Sequence, residues 1–207
     1  MKRILCFGDS NTYGHNPKDA SRLSKRWTKI TENLLGEDYE IIEEGLCGRT
    51  TDFHVEGEID GLSGTTLLRP IIATHKPYDL LIIMLGTNDL LLKVNAELSD
   101  SVNGIKKLIE IATQTYPDGK ILIISPIEVD KSVQNSFFCE LYGPTRACEL
   151  SKQFASVYLP VAEQYGCEFM NAADFAKASN LDGVHMDADN HTKLAYAITD
   201  KIQEIFK

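Results

Sequence analysis

The stretch from Asp79 to Leu85 constrains the fold more than any other. After its aspartate it is an unbroken run of leucine, isoleucine and methionine, with no polar residue at alternate positions. A strand with one wet face alternates. A strand without alternation is covered on both faces, as central strands of parallel sheets are. The apolar segment Arg3 to Phe7 reads the same way, and so does Lys120 to Ser125. Tyr39 to Glu44 and the short Glu168 to Asn171 complete a set of five expected strands.

Helical spacing fills the intervals between them. Arg26–Leu35 carries Trp27, Ile30 and Leu34 on one face, with Gly36 as its stop. Thr65–His75 carries Leu67, Leu68, Ile71 and Ile72 and ends before Pro77. Ser99–Tyr116 has Ser99 as its expected cap, Pro144–Tyr165 is expected to kink or break at Pro160, and Asp187–Phe206 closes the chain. Strands alternating with helices predict an α/β fold, a parallel five-stranded sheet between two helix layers. The 207 residues suit one domain, 1–207. In such sheets ligands bind beyond the carboxyl ends of the strands.

Composition narrows the function. A net charge of −9 argues against a dedicated nucleic-acid binder, which needs clustered Lys and Arg. No apolar run approaches the roughly 20 residues that cross a bilayer, so no membrane partner is expected. Met1-Lys2-Arg3 is followed by only about four apolar residues before Gly8, too few for a signal peptide, and a cytoplasmic protein is expected. The five cysteines, Cys6, Cys47, Cys139, Cys148 and Cys167, show no CxxC spacing, so neither a disulfide framework nor a zinc site is expected.

The loops after the strands should hold the chemistry. Phe7-Gly8-Asp9-Ser10 ends the first strand in a tight polar turn. Ser10 sits at its crest, where a helix begins, an exposed and well-held place for a nucleophile. A turn plus a helix cap is the plain alternative. A serine hydroxyl needs a base. Of the five histidines, His185 follows Asp182 by three residues across Gly183, a spacing that lets the carboxylate orient the imidazole. The plain alternative is that both merely cap the last helix. Donors for an oxyanion are available from the Ser10 N–H, from the N–H of Gly48 and from the side-chain amide of Asn88. Each also reads as an ordinary turn residue when taken singly.

Taken together, in their order along the chain, these blocks resemble the SGNH hydrolases, also called GDSL-type esterases and lipases. The blocks are Phe7-Gly8-Asp9-Ser10, Gly45-Leu46-Cys47-Gly48-Arg49-Thr50-Thr51, Leu85-Gly86-Thr87-Asn88-Asp89 and Asp182-Gly183-Val184-His185. The resemblance runs from residue 3 to the final helix. Lys2–Ser10, Glu43–Leu46 and Ile82–Asp89 look like the mycobacterial-type arylesterase/acyltransferase branch, with one departure: Asn11 stands where that branch usually has Leu. The resemblance implies a flavodoxin-like three-layer α/β/α sandwich and ester hydrolysis without a cofactor or metal. It implies Ser10 as nucleophile, His185 as base, Asp182 as its orienting partner, and Ser10, Gly48 and Asn88 as the oxyanion hole. It makes self-association as a homo-oligomer an open expectation.

Asp9 is expected to brace the serine loop by accepting N–H bonds. Candidate substrate contacts are Asn11, Trp27 and Phe138. The last lies in the 127–143 segment, whose length suggests a pocket wall or a subunit contact. The expected substrate is a small or short-chain acyl ester. A carbohydrate O-deacetylase, or a thioesterase or lysophospholipase, would use the same residues. A doubly wound phosphate-binding module explains Ser10, but not the Asp182/His185 spacing, and the chain lacks its glycine-rich fingerprints.

Overall fold

A computed structural model describes residues 1–55, 62–143 and 145–207. Its centre is a parallel sheet of β1 (Lys2–Gly8), β2 (Tyr39–Gly45), β3 (Leu80–Met84), β4 (Lys120–Ser125) and β5 (Glu168–Asn171), in the order β2-β1-β3-β4-β5. Every residue of β3 is buried, which is what its unbroken apolar run requires.

The helices are α1 (Ser10–Tyr13), α2 (Trp27–Leu35), α3 (Gly64–His75), α4 (Leu98–Thr115), α5 (Cys139–Tyr142), α6 (Arg146–Ser151), α7 (Phe154–Tyr165) and α8 (Ala188–Ile205). Alternate side chains of each strand feed two cores. Leu5, Phe7, Leu81, Ile83 and Ile123 pack under Leu68 and Ile72 of α3, Ile105 and Leu108 of α4, and Phe154 and Tyr158 of α7. Ile4, Cys6, Ile82, Leu122 and Ile124 pack on the other face, under Trp27 of α2 and Leu194, Ile198 and Ile202 of α8. The result is the three-layer α/β/α sandwich expected from the alternation. Each fully buried Leu or Ile stabilises it by about 1.5–3 kcal/mol before entropy is counted.

Three expectations are corrected. The helix read over 144–165 is two helices, and they part at Lys152 and Gln153 rather than at Pro160; Pro144, its expected start, lies outside the described residues. Pro160 is exposed and continues α7, because the carbonyl it frees belongs to the exposed Ser156, which water can satisfy. At the actual break, Ser151 Oγ accepts the buried Val129 N–H at 2.9 Å, so docking to the loop after β4 decides where the helix ends. Ser99 does not cap α4. Glu97 occupies the cap, and the Asp100 carboxylate accepts its N–H at 3.0 Å. Trp27 is fully buried in the second core and does not line the cavity of the site described below, so it is no substrate contact there.

Candidate active site

The carboxyl ends of β1, β2 and β3 meet at one edge, and their loops carry the predicted residues. At the end of β1, Asp9 caps α1, and its carboxylate accepts the Asn11 N–H at 2.9 Å, the bracing role expected of it. Burial pushes the Asp9 carboxyl up to about 6, against the pull of the Asn11 N–H, His185 and Arg49. Ser10 is the first residue of α1, where an N–H has no acceptor within the helix.

The last loop before α8 supplies the partner. Asp182 Oδ1 accepts the N–H groups of Val184 and His185, each at 2.9 Å. Its Oδ2 lies 2.7 Å from His185 Nδ1. Burial raises the Asp182 pKa, but the His185 contact and the two N–H groups outweigh it and hold the carboxyl below its ordinary value. A carboxylate facing Nδ1 puts the ring proton there, which leaves Nε2 as an acceptor. Nε2 lies 2.9 Å from Ser10 Oγ, 175 residues away in sequence. Gly183 makes this loop possible. It has φ +77°, and a Cβ there would sit 2.3 Å from the Val133 nitrogen. The cap of α8 is Asp187, so Asp182 and His185 are not helix caps.

Gly48, at φ +82°, follows β2, and its N–H donates to no acceptor among the described residues. Asn88 lies in the short 3₁₀ turn Thr87–Leu90 after β3. Its Nδ2 donates to the Arg49 carbonyl at 3.1 Å and its Oδ1 accepts the Tyr142 hydroxyl at 2.8 Å, so the amide has one orientation. Arg49 ties these loops together from behind. It donates to the carbonyls of Gly8, at 2.9 Å, and of Glu44, and lies over the Phe7 ring. Asp89 accepts the Thr51 N–H and hydroxyl, each at 2.8 Å, which anchors the Gly48 loop to the Asn88 turn.

Ser10, Gly48, Asn88 and His185 all line one cavity of about 650 Å³, whose remaining wall is mostly apolar. The 127–143 segment walls one side of it with Phe137, Phe138, Leu141 and Tyr142, as one of its two expected roles requires. Phe138 stands edge-on to the His185 ring at 5.1 Å.

Asn11, a candidate substrate contact, is buried and does not line the cavity. Its Nδ2 donates to the Val184 carbonyl at 3.2 Å, and its Oδ1 accepts the Met186 N–H at 3.0 Å. It therefore latches the serine loop to both flanks of His185. Sequence reasoning also gave no role to His15, whose ring stacks on His185 with centroids 4.2 Å apart, or to Tyr142 as the partner of Asn88. Among the described residues, no group of three or more His, Cys, Asp or Glu side chains converges as a metal site, and no helix is long and apolar enough to cross a membrane.

Comparison with known proteins gives the family. No curated protein matches the chain. The chain is similar in structure to a carbohydrate acetylesterase from Sinorhizobium meliloti: 33% identity, 99% of this chain and 100% of the other covered, TM-score 0.91. It is similar to an aryl esterase from M. smegmatis at 32% identity, with 99% of each chain covered and a TM-score of 0.91. It is also similar to a putative arylesterase from Agrobacterium tumefaciens at 30% identity, with 99% and 100% covered and a TM-score of 0.89. The model of the GDSL-like lipase/acylhydrolase family matches residues 6–195, so the chain belongs to that family and is a carboxylic ester hydrolase.

Proposed function

We propose that the whole chain, 1–207, acts as one unit that cleaves small or short-chain acyl esters through an acyl-enzyme on Ser10. The observation that carries this is the unbroken Asp182–His185–Ser10 line, with contacts of 2.7 and 2.9 Å, opening into the cavity. Ser10 Oγ attacks the acyl carbon while His185 Nε2 takes its proton. Asp182 holds the ring and stabilises the imidazolium. The carbonyl oxygen becomes an oxyanion facing the N–H groups of Ser10 and Gly48 and the Asn88 amide. Collapse of the intermediate breaks the bond to the leaving alcohol, which takes the proton from His185. Water, or a second alcohol, then repeats the sequence on the acyl-enzyme and frees Ser10.

A second reading, carbohydrate O-deacetylation, uses the same residues. The likeness to a carbohydrate acetylesterase favours it, and likeness to aryl esterases favours the first. Turnover of a panel of p-nitrophenyl acyl esters of graded length beside peracetylated sugars separates the two. Rates highest on acetate and falling with chain length, and abolished in Ser10→Ala, support the first reading. Turnover of sugar acetates alone supports the second. Turnover that survives Ser10→Ala ends both.

The same reading places the protein in the cytoplasm as a homo-oligomer. Its five cysteines are free thiols, and the exposed Phe137 at the cavity and Leu92 beside it offer apolar surface to a second copy. Light scattering showing a monomer at working concentration would remove the oligomer from the account.

A further inference from the structure

The site described above accounts for Ser10, Gly48, Asn88, Tyr142 and His185. Among the described residues lining the cavity, the other polar side chains are His15, Cys47 and Lys93. A thiol is only a weak hydrogen-bond donor, and Lys93 has an interaction partner of its own. His15 differs from both in where it stands. Its backbone N–H donates to the Ser10 carbonyl at 3.0 Å, and it bridges to Arg22, so its main chain is fixed beside the nucleophile. Its ring lies on the His185 ring, with centroids 4.2 Å apart and planes 38° apart. Neither ring nitrogen bonds to a described residue. Burial, and then the neighbouring His185, hold its pKa below the ordinary histidine value, which keeps the ring neutral, with one donor and one acceptor nitrogen.

The direction of proton transfer gives this ring its role. His185 Nε2 must pass its proton to the departing oxygen, so the alcohol leaves past the His185 ring. Among the described residues, two rings pack against it: the apolar Phe138, edge-on at 5.1 Å, and His15. With ring centroids 4.2 Å apart, the His15 ring stands beside the path the alcohol takes from His185.

We propose that His15 is a specificity-determining residue for the leaving alcohol: its imidazole hydrogen-bonds a hydroxyl adjacent to the ester, so the enzyme favours acyl esters of vicinal diols and polyols over those of plain alkanols. This rests on the esterase reading and deepens it. The test uses 2-hydroxyethyl acetate and propyl acetate, which share an acyl group and chain length and differ by a terminal hydroxyl against a methyl. The kcat/KM ratio of the pair is measured in the wild type, in His15→Phe, which keeps a ring on His185, and in His15→Gln, which keeps a hydrogen-bonding group. Any general loss of activity divides out of the ratio. The wild-type ratio should exceed that of His15→Phe by roughly three- to tenfold, the range of one neutral hydrogen bond, with His15→Gln between them. An equal ratio in wild type and His15→Phe, with both esters turned over, overturns the role of His15 and leaves the esterase reading standing. A wild type that cleaves neither ester nor p-nitrophenyl acetate overturns the esterase reading, and the role of His15 with it.

Discussion

Replacing Tyr142 with phenylalanine removes one oxygen that takes no part in the proton transfers, yet it should slow the reaction. The Asn88 amide is held by two hydrogen bonds, one from the Tyr142 hydroxyl to Oδ1 and one from Nδ2 to the Arg49 carbonyl. Burial, and then the nearby Asp9, Asp182 and Asp89, push the Tyr142 phenol far above its ordinary value, so it stays a donor at any working pH. In Tyr142→Phe the Oδ1 end loses its anchor, and only the Arg49 carbonyl still holds the amide. One such bond contributes about 1 kcal/mol net, and without it the amide can tilt off the oxyanion, giving up about 1 of the roughly 3 kcal/mol that such a donor contributes to the transition state. The buried Oδ1 also loses its donor, which should lower folding stability by about 1–3 kcal/mol. Steady-state hydrolysis of p-nitrophenyl acetate and urea melts should therefore show kcat down roughly five- to tenfold, with KM little changed. Asn88→Ala, which removes the donor itself, should lose about a hundredfold or more. A folded Tyr142→Phe with wild-type kcat, beside a crippled Asn88→Ala, refutes the orienting role. A rise in KM alone makes Tyr142 a substrate contact instead.

Two further outcomes follow from the buried polar groups. Asn11→Ala removes both latches on the His185 loop and strands the buried Met186 N–H, so urea melts should show a loss of about 2–4 kcal/mol, with kcat falling more than KM rises; a loss below about 1 kcal/mol with unchanged kcat contradicts the latch. The second concerns His191 of α8, whose Nδ1 accepts the Trp27 N–H at 3.2 Å. Burial depresses its pKa to about 4, so the folded ring stays neutral while the unfolded one gains a proton below about 6.5. Its contribution is complete above pH 6.5 and is lost as pH falls toward 4, about 3 kcal/mol in all. The buried Asp9 and Asp89, raised to about 6 chiefly by burial, act oppositely, since their contribution is lost as pH rises through 6. They cancel in the difference between wild type and His191→Asn, which keeps an acceptor for Trp27. That difference should slope between pH 6.5 and 4, and a flat difference refutes the account.

The sheet was legible because burial on both faces leaves its mark on every residue of a strand, as in Leu80–Met84. The loops that form the site were legible because each holds residues of special chemistry at a strand end or just before a helix. The break in the long helix was not. Local rules point to Pro160, but the exposure of that proline and the Ser151–Val129 contact are tertiary facts. Trp27 and Asn11 were misplaced for the same reason. An aromatic at a helix start and a polar residue beside a nucleophile look like pocket residues until the fold covers them. Tyr142 reaches Asn88 across 54 residues, and His15 meets His185 through a stack that no spacing encodes.

Treating the purified protein with a fluorophosphonate and weighing it intact tests the central claim most directly. The expected result is one adduct, mapped to Ser10, absent in Ser10→Ala and strongly slowed in His185→Ala. Folded protein that stays unlabelled, or labelling that persists at full rate without His185, contradicts the pairing of that imidazole with that hydroxyl.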